Sequence, residues 1–71
     1  MDDKLRKYKD EKILVFETEF RAPVYIVDYR YDNQLNTFDI EVVTYDGFTY
    51  FSCYPDTLDF KEDCSKYLVT P

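Results

Sequence analysis

Residues 36–54 constrain the fold most, because they have the pattern of a β-hairpin closed by Asp46-Gly47. Gly47 is the only glycine in the chain. An Asp-Gly loop between β-rich runs favours a type I′ turn, which needs positive φ at both central positions. We therefore predict two strands, residues 37–45 and 48–54, with Pro55 ending the second.

The predicted turn also sets the register of the hairpin and therefore the two faces of its strands. One face pairs Ile40 with Cys53 and Val42 with Phe51, and with Phe38 it is expected to face the core. The opposite face pairs Val43 with Tyr50 and places Glu41 opposite Ser52. Exposed apolar patches usually mark contacts, and tyrosine is a preferred interface anchor. The predicted partner-binding residues are Asp39, Glu41, Val43, Tyr45, Asp46, Phe48, Tyr50 and Tyr54.

Two further strands are predicted before the hairpin. In residues 13–20, apolar and charged positions alternate, so the charged Glu17 and Glu19 should lie away from the core. Residues 24–31 are ambiguous, and we place the Tyr/Val set on the core side. The set expected toward the core in the first strand is Leu14, Phe16, Thr18 and Phe20, and in the second it is Tyr25, Val27, Tyr29 and Tyr31.

A C-terminal helix is predicted over residues 57–68. Phe60, Cys64, Tyr67 and Leu68 recur at helical spacing and form one apolar stripe. Residues 1–12 have only Leu5 and Tyr8 as large apolar anchors inside the segment, so they are expected to form a short helix or a frayed arm.

The sum is one α+β domain, residues 1–71, in which a four-stranded antiparallel β-meander packs on one C-terminal amphipathic helix. The helix should cover the face that carries Ile40, Val42 and Cys53. The alternative is a small all-β barrel in which residues 66–70 form a fifth strand. With 71 residues there is little room for a deep cleft beside a core, which disfavours an enzyme.

The charge distribution restricts the partners. The net charge is −6, and no Lys or Arg occurs between Arg30 and Lys61. Such an acidic body disfavours direct binding to nucleic acid or to an anionic membrane and favours a protein partner with a basic surface. The chain has no secretory leader pattern and no apolar run near the roughly 20 residues of a membrane span, so a cytoplasmic location is expected.

The residue inventory excludes most chemistry, and no catalytic, cofactor-binding or metal-binding residue is predicted. The chain has no histidine, which removes histidine-dependent triads and most zinc sites. Residues 28–36 resemble a calcium loop only superficially, since they lack the turn glycine and the closing glutamate. Cys53 and Cys64 are expected to be buried thiols in the cytoplasm, with a disulfide as the alternative outside it.

The function that these features favour is a small non-catalytic protein-binding module that acts as an inhibitor or adaptor. Asp39 and Glu41 would stand about 7 Å apart on a strand, a spacing that can imitate successive phosphates. In size, acidity and aromatic content the chain resembles small phage-encoded inhibitors of host or defence enzymes, which implies inhibition by nucleic-acid mimicry. The alternative is a homodimer or other assembly that uses the same face as its own interface.

Overall fold

The structure, a computed structural model, describes residues 1–68. A helix, α1, precedes five antiparallel strands, and two 3-10 turns, Pro55–Thr57 and Ser65–Leu68, flank the last strand. The elements are α1 (Asp2–Asp10), β1 (Val15–Glu17), β2 (Ala22–Asp32), β3 (Thr37–Thr44), β4 (Tyr50–Cys53) and β5 (Leu58–Asp59). The strands form one open sheet in the order β4-β3-β2-β1-β5.

The predicted C-terminal helix is wrong. In its place lie the short strand β5 and the single 3-10 turn Ser65–Leu68. Two aspartates interrupt the helical pattern: Asp59 Oδ1 accepts a hydrogen bond from the Lys61 amide at 3.0 Å, and Asp63 Oδ1 accepts one from the Ser65 amide at 2.9 Å. Such side-chain bonds give the backbone an alternative to helical hydrogen bonds, and the apolar stripe does not outweigh them.

The barrel alternative is wrong as well. The sheet does have a fifth strand, but it is β5, which pairs with β1 through Phe16–Asp59 and Glu17–Leu58. The segment proposed for it, residues 66–70, begins inside a 3-10 turn and ends outside the described residues. The two edge strands, β4 and β5, do not pair with each other, so the sheet stays open.

The N-terminal helix, rather than a C-terminal one, covers the core face of the sheet. Leu5 has 0% exposure and belongs to the same buried cluster as Ile40 and Val42. Tyr8 packs against that cluster and meets the ring of Phe60 edge-on, with 5.0 Å between the ring centroids. The helix has acidic residues in its first turn and basic residues in its last, which suits the helix dipole.

The hairpin register is confirmed, but the turn type is not. Ile40 pairs with Cys53 and Val43 with Tyr50, as predicted. The φ of Gly47 is +80°, whereas Asp46 is not among the described residues with positive φ, so the turn is not type I′. The Gly47 amide instead donates to the Thr44 carbonyl at 2.8 Å, which makes an ordinary β-turn inside a longer loop. The register survives because the alternation of apolar residues fixes it independently of the turn.

Strand β2 does not follow one alternating pattern. Val24 and Ile26 are buried, contrary to the prediction. The pairing with β3 shifts by one residue immediately afterwards, which leaves Val27 as the extra residue of a β-bulge. Beyond the bulge the faces exchange, and Tyr29 packs against the core. The set of Tyr25, Val27, Tyr29 and Tyr31 therefore does not share one side of the sheet.

The first strand buries the opposite set of side chains from the one that was predicted. Val15 and Glu17 are the buried residues of β1, with 1% exposure each, and Phe16 between them is half-buried. Leu14 is buried as predicted, but Phe20 is exposed at the β1–β2 turn. The carboxylate of Glu17, which was expected on the outer face, therefore lies on the buried face of the sheet.

A short connection forces the sheet to curl. Only residues 54–57 join β4 to β5, although these strands lie at opposite edges of the sheet. A flat sheet would place its edges about 19 Å apart at a strand spacing of roughly 4.8 Å. A fully extended link of this length reaches about 18 Å at most, and most of this one is a 3-10 turn. The curl brings the β1–β2 turn to β4, where the rings of Phe20 and Phe51 lie 4.9 Å apart.

We expect Leu5→Ala to destabilise the protein by about 2–5 kcal/mol, because it leaves a cavity where the helix meets the sheet. The measurement is urea unfolding followed by circular dichroism. Lys7→Ala is the matched control, since Lys7 is exposed on the same helix and its loss should change stability little. Equal stability of the Leu5 variant and the wild type would show that α1 does not close the core.

We expect Gly47→Val to lower the stability by about 1–2 kcal/mol, because a residue with a Cβ resists the left-handed conformation. A Cβ at this position would meet no atom within 4 Å, so the loss of stability reports the cost of the backbone conformation and not a steric clash. Gly47→Asn is the control, since asparagine tolerates positive φ and should cost less. The melting temperatures of the two variants provide the comparison, and an unchanged value for the valine variant would contradict the turn geometry.

Candidate functional site

The hairpin surface consists of the predicted residues Asp39, Glu41, Val43, Tyr45, Asp46, Phe48, Tyr50 and Tyr54. The observed register brings the central part together: Val43 lies opposite Tyr50, and Glu41 lies opposite Ser52 on the neighbouring strand. The Tyr50 hydroxyl donates a hydrogen bond to Glu41 Oε2, and this bond raises the pKa of Tyr50. These side chains form one continuous patch on the face away from α1.

The tip of the hairpin carries the most exposed large apolar side chain of the described residues. Phe48, in the loop two residues before β4, is 88% exposed, and Tyr50, the first residue of β4, is 58% exposed. Neither ring is among the aromatic side chains that pack on the core cluster. Two exposed aromatic side chains two positions apart give this end of the hairpin an apolar contact point.

The carboxylate of Asp46 stabilises the turn and is not free to contact a partner through Oδ1. Its Oδ1 accepts a hydrogen bond from the Thr44 hydroxyl at 2.6 Å and another from the Phe48 amide at 3.1 Å. The Thr44 bond and then the Phe48 bond hold the pKa of Asp46 below its usual value. The carboxylate therefore fixes the loop that presents Phe48.

Tyr45 and Tyr54 lie at opposite ends of the hairpin surface, and each is 45% exposed. Tyr45 packs against Tyr67 of the last 3-10 turn, with ring centroids 5.6 Å apart. Tyr54 follows the end of β4, six positions after Phe48, which is about 20 Å along an extended strand. A small partner at the tip would therefore reach Phe48 and Tyr50 but not Tyr54.

Asp39 is less available than the sequence suggests. Arg30 on β2 lies directly opposite, and its Nη2 is 3.7 Å from Asp39 Oδ2. Since Glu41 already accepts the Tyr50 hydroxyl, neither carboxylate of the predicted pair stands free. The spacing required for phosphate mimicry is present, but the charge on one side is partly neutralised.

A second site, the seam cleft, was not predicted from the sequence. It lies between the β1–β2 turn and β4, where the curled sheet does not close, and has a volume of about 490 Å³. Three carboxylates and no Lys or Arg line it. Its lining includes Glu17, Glu19, Asp39, Phe20, Phe51 and Ser52. Asp39 and Tyr54 are the two residues that it shares with the hairpin surface.

Glu17 is the unusual group of the seam cleft. It is 1% exposed, and its Oε1 accepts a hydrogen bond from the Phe20 amide at 2.6 Å. Within residues 1–68, no Lys or Arg nitrogen lies within 4.0 Å of its carboxylate. One sequence signal could have revealed this buried carboxylate. Glu17 occupies the same face of the strand as the apolar Ile13 and Val15, because alternate residues share a face, so burying that face also buries Glu17.

Cys53 and Cys64 are both buried, and both are free thiols. Burial raises the pKa of Cys53 to about 11 and also raises the pKa of Cys64. In the described part of the chain, no group of three or more carboxylate or cysteine side chains can hold a metal ion. None of the described helices has the length and apolar character needed to cross a membrane.

We expect Cys53 to resist alkylation in the folded protein. At pH 8 a thiol with a pKa of about 11 has a thiolate fraction on the order of a hundredfold below that of an ordinary cysteine. The Cys64→Ser variant, which leaves Cys53 as the sole thiol, should react slowly with iodoacetamide and faster as the pH rises toward 11. The same variant unfolded in urea is the control. Equal rates in the folded and unfolded states would contradict the burial of this thiol.

The two surfaces offer different contacts. The hairpin surface presents exposed aromatic rings at the tip of a loop, whereas the seam cleft presents carboxylates together with two neighbouring, tilted rings. No protein-family model, no curated protein and no solved structure matches this chain.

Proposed function

We propose that this protein is a small acidic, non-catalytic protein-binding module whose contact surface is the hairpin surface. The observation that carries the proposal is the 88% exposure of Phe48 at the end of a turn that is held by hydrogen bonds of Asp46 and Thr44. An apolar ring on a rigid tip loses little conformational freedom on binding, which favours its use as an interface anchor.

The partner is a protein with an apolar pocket for Phe48 and basic groups near it. Tyr50 and Val43 extend the apolar area behind the tip, and Glu41 adds a carboxylate next to Tyr50. The net charge of −6 would speed the encounter with a basic surface. Two buried thiols support a reducing compartment, and we propose the cytoplasm as the place of action.

Inhibition by nucleic-acid mimicry is a narrower form of the proposal. It requires Asp39 and Glu41 to face a basic groove as free charges. The ion pair between Asp39 and Arg30 weakens that requirement. The aromatic tip therefore supports binding better than the carboxylate spacing does.

Self-association is the second candidate function. Strand β4 is an edge strand. It pairs with β3 on one side, and no strand of the described residues pairs with its other side. Exposed edges with aromatic side chains can pair with a second copy of the same chain. A homodimer through β4 and the hairpin surface would bury Phe48 and Tyr50.

The test compares three variants as affinity baits in a lysate of the cells in which the protein acts. Phe48→Ser and Tyr50→Ser should each lose a partner that the wild type retains, because truncating an aromatic anchor costs about 2 kcal/mol or more. Leu35→Ser is the matched control, since Leu35 is an exposed apolar residue in the loop at the other end of β3. This variant should capture the partner as the wild type does.

Two further readouts separate the alternatives. Light scattering after size-exclusion chromatography should give a monomer; a dimer that Phe48→Ser dissociates would favour self-association instead. For the purified partner, binding that weakens steeply with salt and with Asp39→Asn would favour nucleic-acid mimicry, because exposed charges are screened beyond about 8–10 Å at roughly 0.1–0.15 M salt. If all three variants capture the same proteins as the wild type, the hairpin surface is not the contact site.

A further inference from the structure

The seam cleft contains a buried carboxylate that lacks a counter-charge within the described residues. Buried charges in proteins are normally paired, because an isolated charge loses its hydration. Glu17 is 1% exposed and uses Oε1 to accept the Phe20 amide. Within the described residues no hydrogen bond to Oε2 is found, and Glu17 lines the cleft.

The walls of the cleft suit one kind of cation. The rings of Phe20 and Phe51 lie 4.9 Å apart with an angle of 31° between their planes, and both residues line the cleft with Glu17. A guanidinium group is planar, forms paired hydrogen bonds with a carboxylate and stacks on aromatic rings. Glu19 adds a second negative charge to the lining. The volume of about 490 Å³ is within the range of about 300–1,000 Å³ that is usual for ligand sites.

The backbone beside the cleft suits an extended chain. The Thr44 amide donates to the Thr49 carbonyl at 2.8 Å, and the Thr49 amide donates to the Thr44 hydroxyl, so the amide of Thr44 points toward the returning strand at the end of the β3–β4 ladder. Hydrogen-bonded and non-bonded pairs alternate in an antiparallel ladder, which directs the amide and carbonyl of Ser52 away from β3. Ser52 lines the cleft, so a second strand could pair there while its side chain enters the cleft.

We propose that the seam cleft binds an arginine side chain from an extended basic segment of a partner protein. The guanidinium lies against the Glu17 carboxylate and the aromatic rings, and the backbone of the segment pairs with β4 at Ser52. The occupant supplies the positive charge that Glu17 lacks. The proposal rests on the proposed function only in that the occupant is a protein segment, and it uses a different surface from Phe48.

The test is a titration of the ¹⁵N-labelled full chain with a capped TVRVT peptide, followed by amide chemical shifts. We expect saturable shifts confined to residues 17–20 and 51–54. The matched TVQVT peptide, which has the same length and lacks the cation, should give no saturable shifts. This comparison uses the wild-type protein, so it does not depend on the folding of any variant.

Two charge-matched variants complete the test. Glu17→Gln keeps an acceptor for the Phe20 amide but removes the charge, and it should weaken TVRVT binding by about tenfold or more. Glu62→Gln removes the same charge from an exposed position and should bind like the wild type. Phe48→Ser should also bind the peptide normally, so failure of this proposal and failure of the hairpin surface can be told apart.

Three results would overturn the proposal. The first is the absence of saturable shifts at the cleft with TVRVT. The second is equal binding of the two peptides, which would show that the arginine is not what is recognised. The third is equal weakening by Glu17→Gln and Glu62→Gln, which would indicate a general attraction to the acidic chain instead of a built site.

Discussion

The short connection between β4 and β5 is the constraint on which the rest of the structure depends. Residues 54–57 must carry the chain from one edge of the sheet to the other, so the sheet has to curl around its own apolar face. The curl encloses Val24, Ile40 and Leu58 in one buried cluster. It also leaves a gap, because β4 and β5 meet no partner on their outer sides. The core and the seam cleft therefore have the same origin.

A chain of this size needs a cover for the open face of such a sheet, and α1 provides it. The fully buried side chain of Leu5 anchors the helix in the core, and Tyr8 extends the contact to Phe60. The ion pair of Lys9 with Asp28, at 3.6 Å, lies at the solvent-exposed end and adds little at ordinary salt. Apolar packing, rather than surface charge, holds the helix in place.

The sequence predicted the position and register of the hairpin, although not its turn type, because two independent signals agree there. Gly47 marks the turn, and the alternation of Ile40 and Val42 with Asp39 and Glu41 sets the register. Where one signal stood alone, the prediction failed. The helical spacing of Phe60, Cys64 and Tyr67 is real, but Asp59 and Asp63 bind nearby amides and break the helix.

Strand β2 and the seam cleft could not be predicted for a different reason. The bulge at Val27 exchanges the faces of the strand without any glycine or proline to mark it. The cleft depends on a contact between Phe20 and Phe51, which are 31 positions apart in the sequence and meet only because the sheet curls. The hairpin residues were predicted from local alternation, whereas the pocket around Glu17 is a product of the tertiary fold.

The position of β1 in the sheet has a consequence for the order in which the chain folds. The β3–β4 hairpin joins neighbouring segments, so closing its loop costs little entropy. Strand β1 instead pairs with β5 through Phe16 and Asp59, which are separated by most of the chain. Contacts between such distant residues form slowly. During synthesis on a ribosome, the second edge of β1 therefore stays uncovered until Leu58 and Asp59 have emerged, and until then the side of Glu17 that faces β5 stays open to water.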